Sequence, residues 1–308
     1  MGYRNRRSEN LISKDDMLAR VVGPIREAME QGKLLWRKPW NAGAGNGLPL
    51  NPLRGGPNKD YTGGVNNILL MIASLTNGWS DPRWMGRGQV KKAGYSVKGL
   101  TNAKATTIYI PVFGWYDGED DHGNKVRKKY VRGFREGRVF NAQQIQDESF
   151  PKLSDNTNTD PLDTRTGYEI AHAMYKASGV HTIHKGTQAM YKPKMDRIYM
   201  PHEGAFVSLD AYHSTRLHET GHSTGHKSRL DRNKFSHFGS PTYAEEELVA
   251  ELFAAFACDF AGIENAPVRE NHAAYLQSWH RRLGEDPKLF LDAVNDAWAA
   301  FAYIRERM

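Results

Sequence analysis

The sequence predicts an α+β protein built as two domains. Its 308 residues exceed what one compact domain usually needs. Runs with β-type alternation sit among amphipathic helical runs in the first half and recur in the second. A stretch rich in Ser, Asn, Thr, Asp and Pro, residues 151–163, separates the halves and reads as a linker. The expected boundaries are a flexible basic arm over 1–12, a first domain over 13–150, the linker, and a second domain over 164–308.

The first domain opens with a helix over 15–32, on which Met17, Leu18, Val21, Ile25 and Met29 recur every three or four residues. Residues 41–60, rich in Gly, Pro and Asn, read as a loop. Gly63 and Gly64 open an apolar helix over 65–76. Asp81-Pro82-Arg83-Trp84 begins a short helix running to Ala93. Three strands are predicted over 106–113, 128–134 and 138–140, with a turn over 117–124 between the first two.

In the second half a helix over 166–178 precedes short strands at 181–184, 190–192 and 197–200. Ser208 leads into a helix carrying His218-Glu219-Thr220-Gly221-His222. A polar loop, an acidic helix over 243–258 and two C-terminal helices, over 271–283 and 287–306, follow.

The segment His218–His222 is an HExxH pattern, the signature of a zinc metallopeptidase helix. Residues i and i+4 share a helix face, so both imidazoles reach one metal. Glu219 then lies beside the open coordination position, where a carboxylate takes a proton from water. A catalytic zinc usually has a third protein ligand. Glu247, on the acidic helix 25 residues after His222, is the choice. Glu251, one turn further in an apolar run, is expected to accept a proton from a ligand histidine's other ring nitrogen. His226 continues the i, i+4 series, but Gly225 ends the helix before it. The longer pattern HExxHxxGxxH fails because its last position is Ser228. Tyr243, His226 and His213 are the candidates for stabilising an oxyanion or touching substrate.

Charge is unevenly divided. Residues 1–150 hold 24 Lys and Arg against 14 Asp and Glu, a net of +10; the remainder holds 18 against 21, a net of −3. A basic half points to a polyanionic partner. Trp36-Arg37-Lys38-Pro39-Trp40 interleaves stacking faces with cations, a pairing suited to single-stranded nucleic acid. Tyr61, Asn66, Arg83, Arg87, Lys91 and Lys92 complete the candidate contacts. Trp84 and Trp115, among apolar neighbours, are expected in the core. A DNA-mimicking inhibitor would be strongly acidic, so this basic chain is not read as one.

The sequence has no apolar run long enough for a transmembrane helix. Its N-terminus is basic but lacks the apolar segment of a secretory signal. The single cysteine, Cys258, excludes an internal disulfide, suits a reducing compartment, and is expected to be buried.

Taken together the motifs resemble the ArdC-type antirestriction proteins of conjugative plasmids and phages. In the first half the resemblance rests on Trp36-Arg37-Lys38-Pro39-Trp40, the Asn51-Pro52 and Tyr61 to Asn66 segments, Asp81-Pro82-Arg83-Trp84 with Gln89, and Val139-Phe140-Asn141. In the second it rests on Ala189-Met190-Tyr191, Asp196-Arg197-Ile198, Pro201, His218 to His226, Arg229-Leu230, Tyr243-Ala244 and Glu246 to Glu251. Departures lie at Thr62-Gly63-Gly64, where a tyrosine-arginine step is usual, and at Ser223, where an aromatic is common. The resemblance implies a single-stranded-DNA-binding domain followed by a zincin-like metallopeptidase domain. It implies one Zn2+ ion, with Mn2+ as the alternative, and partners that are single-stranded DNA, duplex DNA more weakly, and a protein substrate or restriction enzyme. It places the protein in the bacterial cytoplasm, away from membranes, protecting incoming mobile DNA from host restriction. The alternative is a non-proteolytic protector that coats single strands and keeps its metal site for structure.

Overall fold

The computed structural model describes residues 11–36, 48–55, 60–61, 63–119, 124–151, 166–232, 241–265 and 272–308. Most of the expected arm and linker, and Arg37, Lys38 and Trp40, lie outside the described residues.

Helix α1 (Lys14–Glu30) starts where the Ser13 hydroxyl accepts the Asp16 N–H, and it buries Met17, Leu18, Val21, Val22, Ile25 and Met29 as one stripe. Helix α2 (Gly64–Asn77) starts at a close approach. A Cβ on Gly64 would lie 2.6 Å from Val294, so the helix end meets its neighbour only because that residue is glycine.

The next segment departs from expectation. Residues 84–86 form a strand, β1 (Trp84–Gly86), and only Arg87–Lys92 forms a helix, α3. Tertiary pairing overrides local propensity here. Trp84 N–H donates to Leu50 O, and β1 pairs antiparallel with β3 from Trp84↔Asn141 to Gly86↔Val139. The three expected strands are in fact two long ones, β2 (Thr106–Glu119) and β3 (Lys125–Asn141). They form a continuous antiparallel ribbon with a bulge between Val112 and Phe113, and the sheet order is β1-β3-β2.

In the second half α4 (Gly167–Ser178) leads to β4 (His181–His184), β5 (Met190–Lys192) and β6 (Arg197–Met200), in the order β4-β6-β5. Strand β4 runs parallel to β6, and β5 runs antiparallel to it. Helices α5 (Leu209–Thr224), α6 (Pro241–Ala261), α7 (His272–Glu285) and α8 (Lys288–Arg305) complete the chain.

One apolar core ties the halves together. Met17, Ile25, Trp36 and Ile68 from the first half join Leu217, Leu252, Phe256, Phe290 and Phe301 from the second. The N-terminal helices thus pack on the C-terminal ones, α1 against α7 and α2 against α8. Cys258 is buried in this core. Among the described residues no helix is long and apolar enough to cross a membrane.

Candidate metal centre

Helix α5 carries the HExxH segment at its buried C-terminal end. Ser208 caps the helix by accepting the Ala211 N–H. Helix α6 crosses it at close range because Gly221 lies at the contact: a Cβ there would fall 2.9 Å from the Phe253 ring and 3.2 Å from the Ala250 backbone. The glycine inside the motif therefore lets α6 approach until its glutamates reach the histidines.

The His218 and His222 Nε2 atoms lie 3.1 Å apart. Each is 3.5 Å from a different oxygen of Glu247. Ligand atoms of His218, His222 and Glu247 all fall within 4.8 Å of one another. Two imidazoles and a carboxylate are a donor set suited to a catalytic divalent ion.

The electrostatics agree with a cation at that point. Burial opposes charge on His222, but the adjoining Glu247 and Glu246 carboxylates overcome it and raise its pKa. Burial by itself would raise both carboxyl groups. Even so, Glu247, facing both histidines, and Glu246, facing His222 and Arg232, are held below the usual carboxylate range. The pocket stabilises positive charge at its centre, and a metal ion would take the place of that proton.

Each ligand histidine has a carboxylate near its outer nitrogen, although His218 Nδ1 makes no hydrogen bond. Glu251 lies 3.8 Å from His218 Nδ1, on the side where the sequence places it. Glu246, which the sequence reading passed over, lies 3.5 Å from His222 Nδ1. Arg232 holds Glu246 by a 2.7 Å hydrogen bond while donating to Thr224 Oγ1 and Gly221 O, so one buried guanidinium ties both helices. The available signal was Glu246 next to Glu247 at the head of a helix whose later turns are mostly apolar, with a basic residue shortly after the motif.

Glu219 is fully buried, and its Oε2 accepts the Tyr191 N–H at 2.7 Å. That N–H belongs to edge strand β5, so the strand reaches the carboxylate through its backbone. Strand and helix are clamped together. Tyr191 Oη donates to Asp196 at 2.7 Å, while Arg229 pairs with the same carboxylate and donates to Ser223 O at 2.6 Å. Burial would raise Asp196, but hydrogen bonds from Arg229 and Tyr191 bring it below its usual range.

The remaining candidates separate. Tyr243 is half-buried on the first turn of α6, one turn before Glu247. His226 lies past the helix end, hydrogen-bonded to Ser228 and 3.8 Å from Asp196. His213 does not face the metal pocket. Five residues before His218, it is turned away from that histidine toward α4, stacked on Tyr168 at 4.7 Å and sharing a 3.0 Å hydrogen bond with Tyr175. Burial lowers its pKa to about 4.

Several expected nucleic-acid contacts are structural. Trp36 is 2 % exposed and packs on Phe290, because the shared core claims it. Arg83 is buried in a two-oxygen ion pair with Asp81. Tyr61 is buried and donates to Trp84 O. Asn66 bridges α2 to β2 by two hydrogen bonds with the Tyr109 backbone. Arg87, Lys91 and Lys92 are exposed on α3, with Arg87 donating to Thr101. Trp84 is fully buried as expected, but Trp115 is not: it stands 53 % exposed on the ribbon, where none of the described residues forms a second layer over it.

Comparison with known proteins matches the two halves of the chain to different family models. Residues 15–140 match the family model of the N-terminal domain of the anti-restriction factor ArdC. Residues 169–296 match that of a zincin-like metallopeptidase. The crystal structure of the antirestriction ArdC protein from plasmid R388, metal-free, is 31 % identical with a TM-score of 0.70, covering 95 % of this chain and 97 % of that one. Its Mn(II)-bound form is 30 % identical with a TM-score of 0.66 over 95 % and 98 %. A DNA primase TraC of Escherichia coli is 36 % identical over 97 % of this chain, and a second is 38 % identical over 90 %. The chain spans only 20 % and 26 % of their lengths. An uncharacterized protein of Sinorhizobium fredii, y4eC, is 29 % identical over 92 % of the chain and 89 % of its own length.

Proposed function

The chain belongs to the ArdC family of antirestriction proteins, with an ArdC N-terminal domain and a zincin-like domain, and from that premise we propose that it is a metallopeptidase working on protein at single-stranded DNA. The observation that carries the reading is the position of Glu219, buried beside a His218, His222 and Glu247 donor set and fixed by a backbone N–H. A site kept for structure alone has no use for a fourth polar group, a carboxylate, fixed beside its three donors.

The proposed ion is zinc, with manganese as the alternative. Once bound, it supplies Lewis acidity that polarises a peptide carbonyl and makes nearby water a stronger acid. The chain's residues do the rest. His218, His222 and Glu247 hold the ion. Glu251 and Glu246 orient the two imidazoles, and Arg232 fixes Glu246. Glu219 takes a proton from the attacking water and returns it to the departing amine. Strand β5 lies at the edge of its sheet with Tyr191 N–H aimed at Glu219, so its open side faces the reacting point. An extended peptide would pair along that edge. Tyr243 or His226 would complete the site on the oxyanion side.

The work is set in the recipient cell's cytoplasm, where incoming DNA is single-stranded and exposed to restriction. The cut protein is a restriction component or another protein bound to that DNA. Duplex DNA is the weaker ligand.

The test is protection of incoming unmodified DNA by the native chain and by Glu219→Gln. The variant should keep its metal, read by elemental analysis of the purified protein, and lose protection. Full protection by a folded, metal-loaded Glu219→Gln would overturn the proteolytic reading in favour of a protector that only coats DNA.

A further inference from the structure

The ribbon of β2 and β3 carries a surface that its packing does not explain. Gly133 and Phe134 are seated against Leu11 and Ile12, and Asn66 fixes Tyr109, so the inner part is anchored. A bulge follows, where Val112 pairs with Gly133 and Phe113 with Val131, leaving Arg132 as the extra residue. Beyond it the ribbon twists away with both faces in solvent.

Six of the ten large apolar side chains exposed among the described residues stand on this ribbon: Ile110, Phe113, Trp115, Tyr116, Tyr130 and Val131. The four aromatic ones are 44–53 % exposed. Singly exposed apolar residues need no explanation, but a contiguous group does. Cross-strand register assigns the faces. Phe113, Trp115, Lys129 and Arg127 share one face, and Tyr116, Tyr130 and Lys128 share the other. On the first, the Lys129 ammonium sits 3.7 Å from the Phe113 ring centre and Arg127 lies 5.7 Å from that of Trp115. On the second, Tyr116 and Tyr130 meet edge to face at 5.9 Å.

Charge decides what such a surface fits. Residues 125–135 hold six Lys and Arg and no acid. A protein-binding patch has a core depleted in charge, lysine above all, whereas here the Phe113 and Trp115 rings each have a cation over them. Rings paired with cations are the arrangement that stacks bases and tracks phosphates. Phe113 and Trp115, two residues apart on one face, are spaced about 7 Å along the strand, room for successive bases. A duplex hides its base faces, so the rings favour a single strand. Towards the tip Asp117 stands opposite Arg127 and Glu119 opposite Lys125, so the excess of cations lies below it, on residues 127–135.

We propose that the outer ribbon, centred on Phe113, Trp115, Lys129 and Arg127 with Tyr116, Tyr130 and Lys128 behind, is the surface that holds single-stranded DNA. It replaces the surface expected around Trp36, and it rests on the DNA-binding part of the proposed function.

Fluorescence anisotropy of a labelled oligothymidylate would test it, with the native chain, Phe113→Ala/Trp115→Ala, Arg127→Gln/Lys129→Gln, and Arg87→Gln/Lys91→Gln/Lys92→Gln on α3. Removing each ring should weaken binding by about tenfold. In the ribbon charge variant the slope of log affinity against log salt should flatten by about one for each cation that no longer neutralises a phosphate. The α3 variant should bind within about twofold of native. Matched thermal unfolding of all four would show that the fold is kept. If ring removal perturbs folding, photocrosslinking of native protein to a bromodeoxyuridine strand decides, with crosslinks expected between residues 113 and 130. Native binding that the ribbon variants leave unchanged, or crosslinks elsewhere, would overturn the ribbon while sparing DNA binding. No binding by the native chain would overturn both. Equal affinity for duplex would overturn the stacking assignment.

Discussion

The metal pocket and the β2–β3 ribbon both break the usual rule of burial, in opposite directions. Between α5 and α6, four glutamates, two histidines and an arginine are almost wholly removed from water. On the ribbon, tryptophan, tyrosine and phenylalanine are left in it. Buried charge costs free energy unless each group is paired, so the pocket is rigid and crowded with partners. Exposed rings cost little to hold but offer no stability, and among the described residues nothing covers those of the outer ribbon. In each place the residues depart from what folding alone would choose. The difference is that chemistry needs fixed geometry, whereas holding a flexible strand needs accessible faces.

Mutation should separate the two regions by size of effect. Arg232→Met is expected to cost about 3–5 kcal/mol in urea unfolding, because it leaves Glu246 buried without its cation. A neutral result would mean that Glu246 is protonated or hydrated in solution. Trp36→Ala should cost about as much, ~3–5 kcal/mol, through the cavity opened beside Phe290. Stability near native with weakened DNA binding would return Trp36 to the surface and blur the contrast. Glu246→Gln should lower metal affinity by about 10- to 100-fold in a chelator competition, with the fold intact.

His213 gives a smaller, pH-dependent effect. Its folded pKa is about 4, below the ordinary 6.5, because burial disfavours the charged ring. As pH falls through 6.5 the unfolded chain takes up a proton that the folded one refuses, so the difference drains stability until about pH 4. In metal-free protein, the unfolding midpoint of His213→Phe should therefore fall less steeply than that of native between those values. Parallel curves would show that His213 is solvated. Smallest of all, Trp115→Ala should change stability by no more than about 0.5 kcal/mol, since the ring is 53 % exposed and, among the described residues, neighbours the ribbon's own Arg127 and Lys129. A loss comparable to that of Trp36→Ala would place the ribbon in an interface that the monomer lacks.

Much of the fold was legible because it is local. Helices α1, α2, α4 and α8 and all three strands of the second sheet lie where periodicity and capping residues put them. The misses share one cause, long-range pairing. Residues 84–86 are a strand because β3 offers them partners more than fifty residues away. Trp36 is core because α8 lies against it, and Trp115 is exposed because no other described element covers it. Trp36 has basic neighbours in sequence and Trp115 apolar ones, so local composition pointed the wrong way for each.

By itself the sequence determined the parts whose geometry is set within one helix: His218 and His222 one turn apart, Glu219 between them, and Glu247 and Glu251 on a common face of an acidic helix. Covalent spacing and the 3.6-residue turn suffice for that. Only the tertiary structure decided how close those two helices come, which the missing side chain of Gly221 permits. It also decided that Glu246 with Arg232 orients the second histidine, that β5 delivers its backbone to Glu219, and that both halves share one core. Such contacts join residues far apart in the chain. They follow from which surfaces meet when apolar area is buried, a property of the whole fold rather than of any stretch of it.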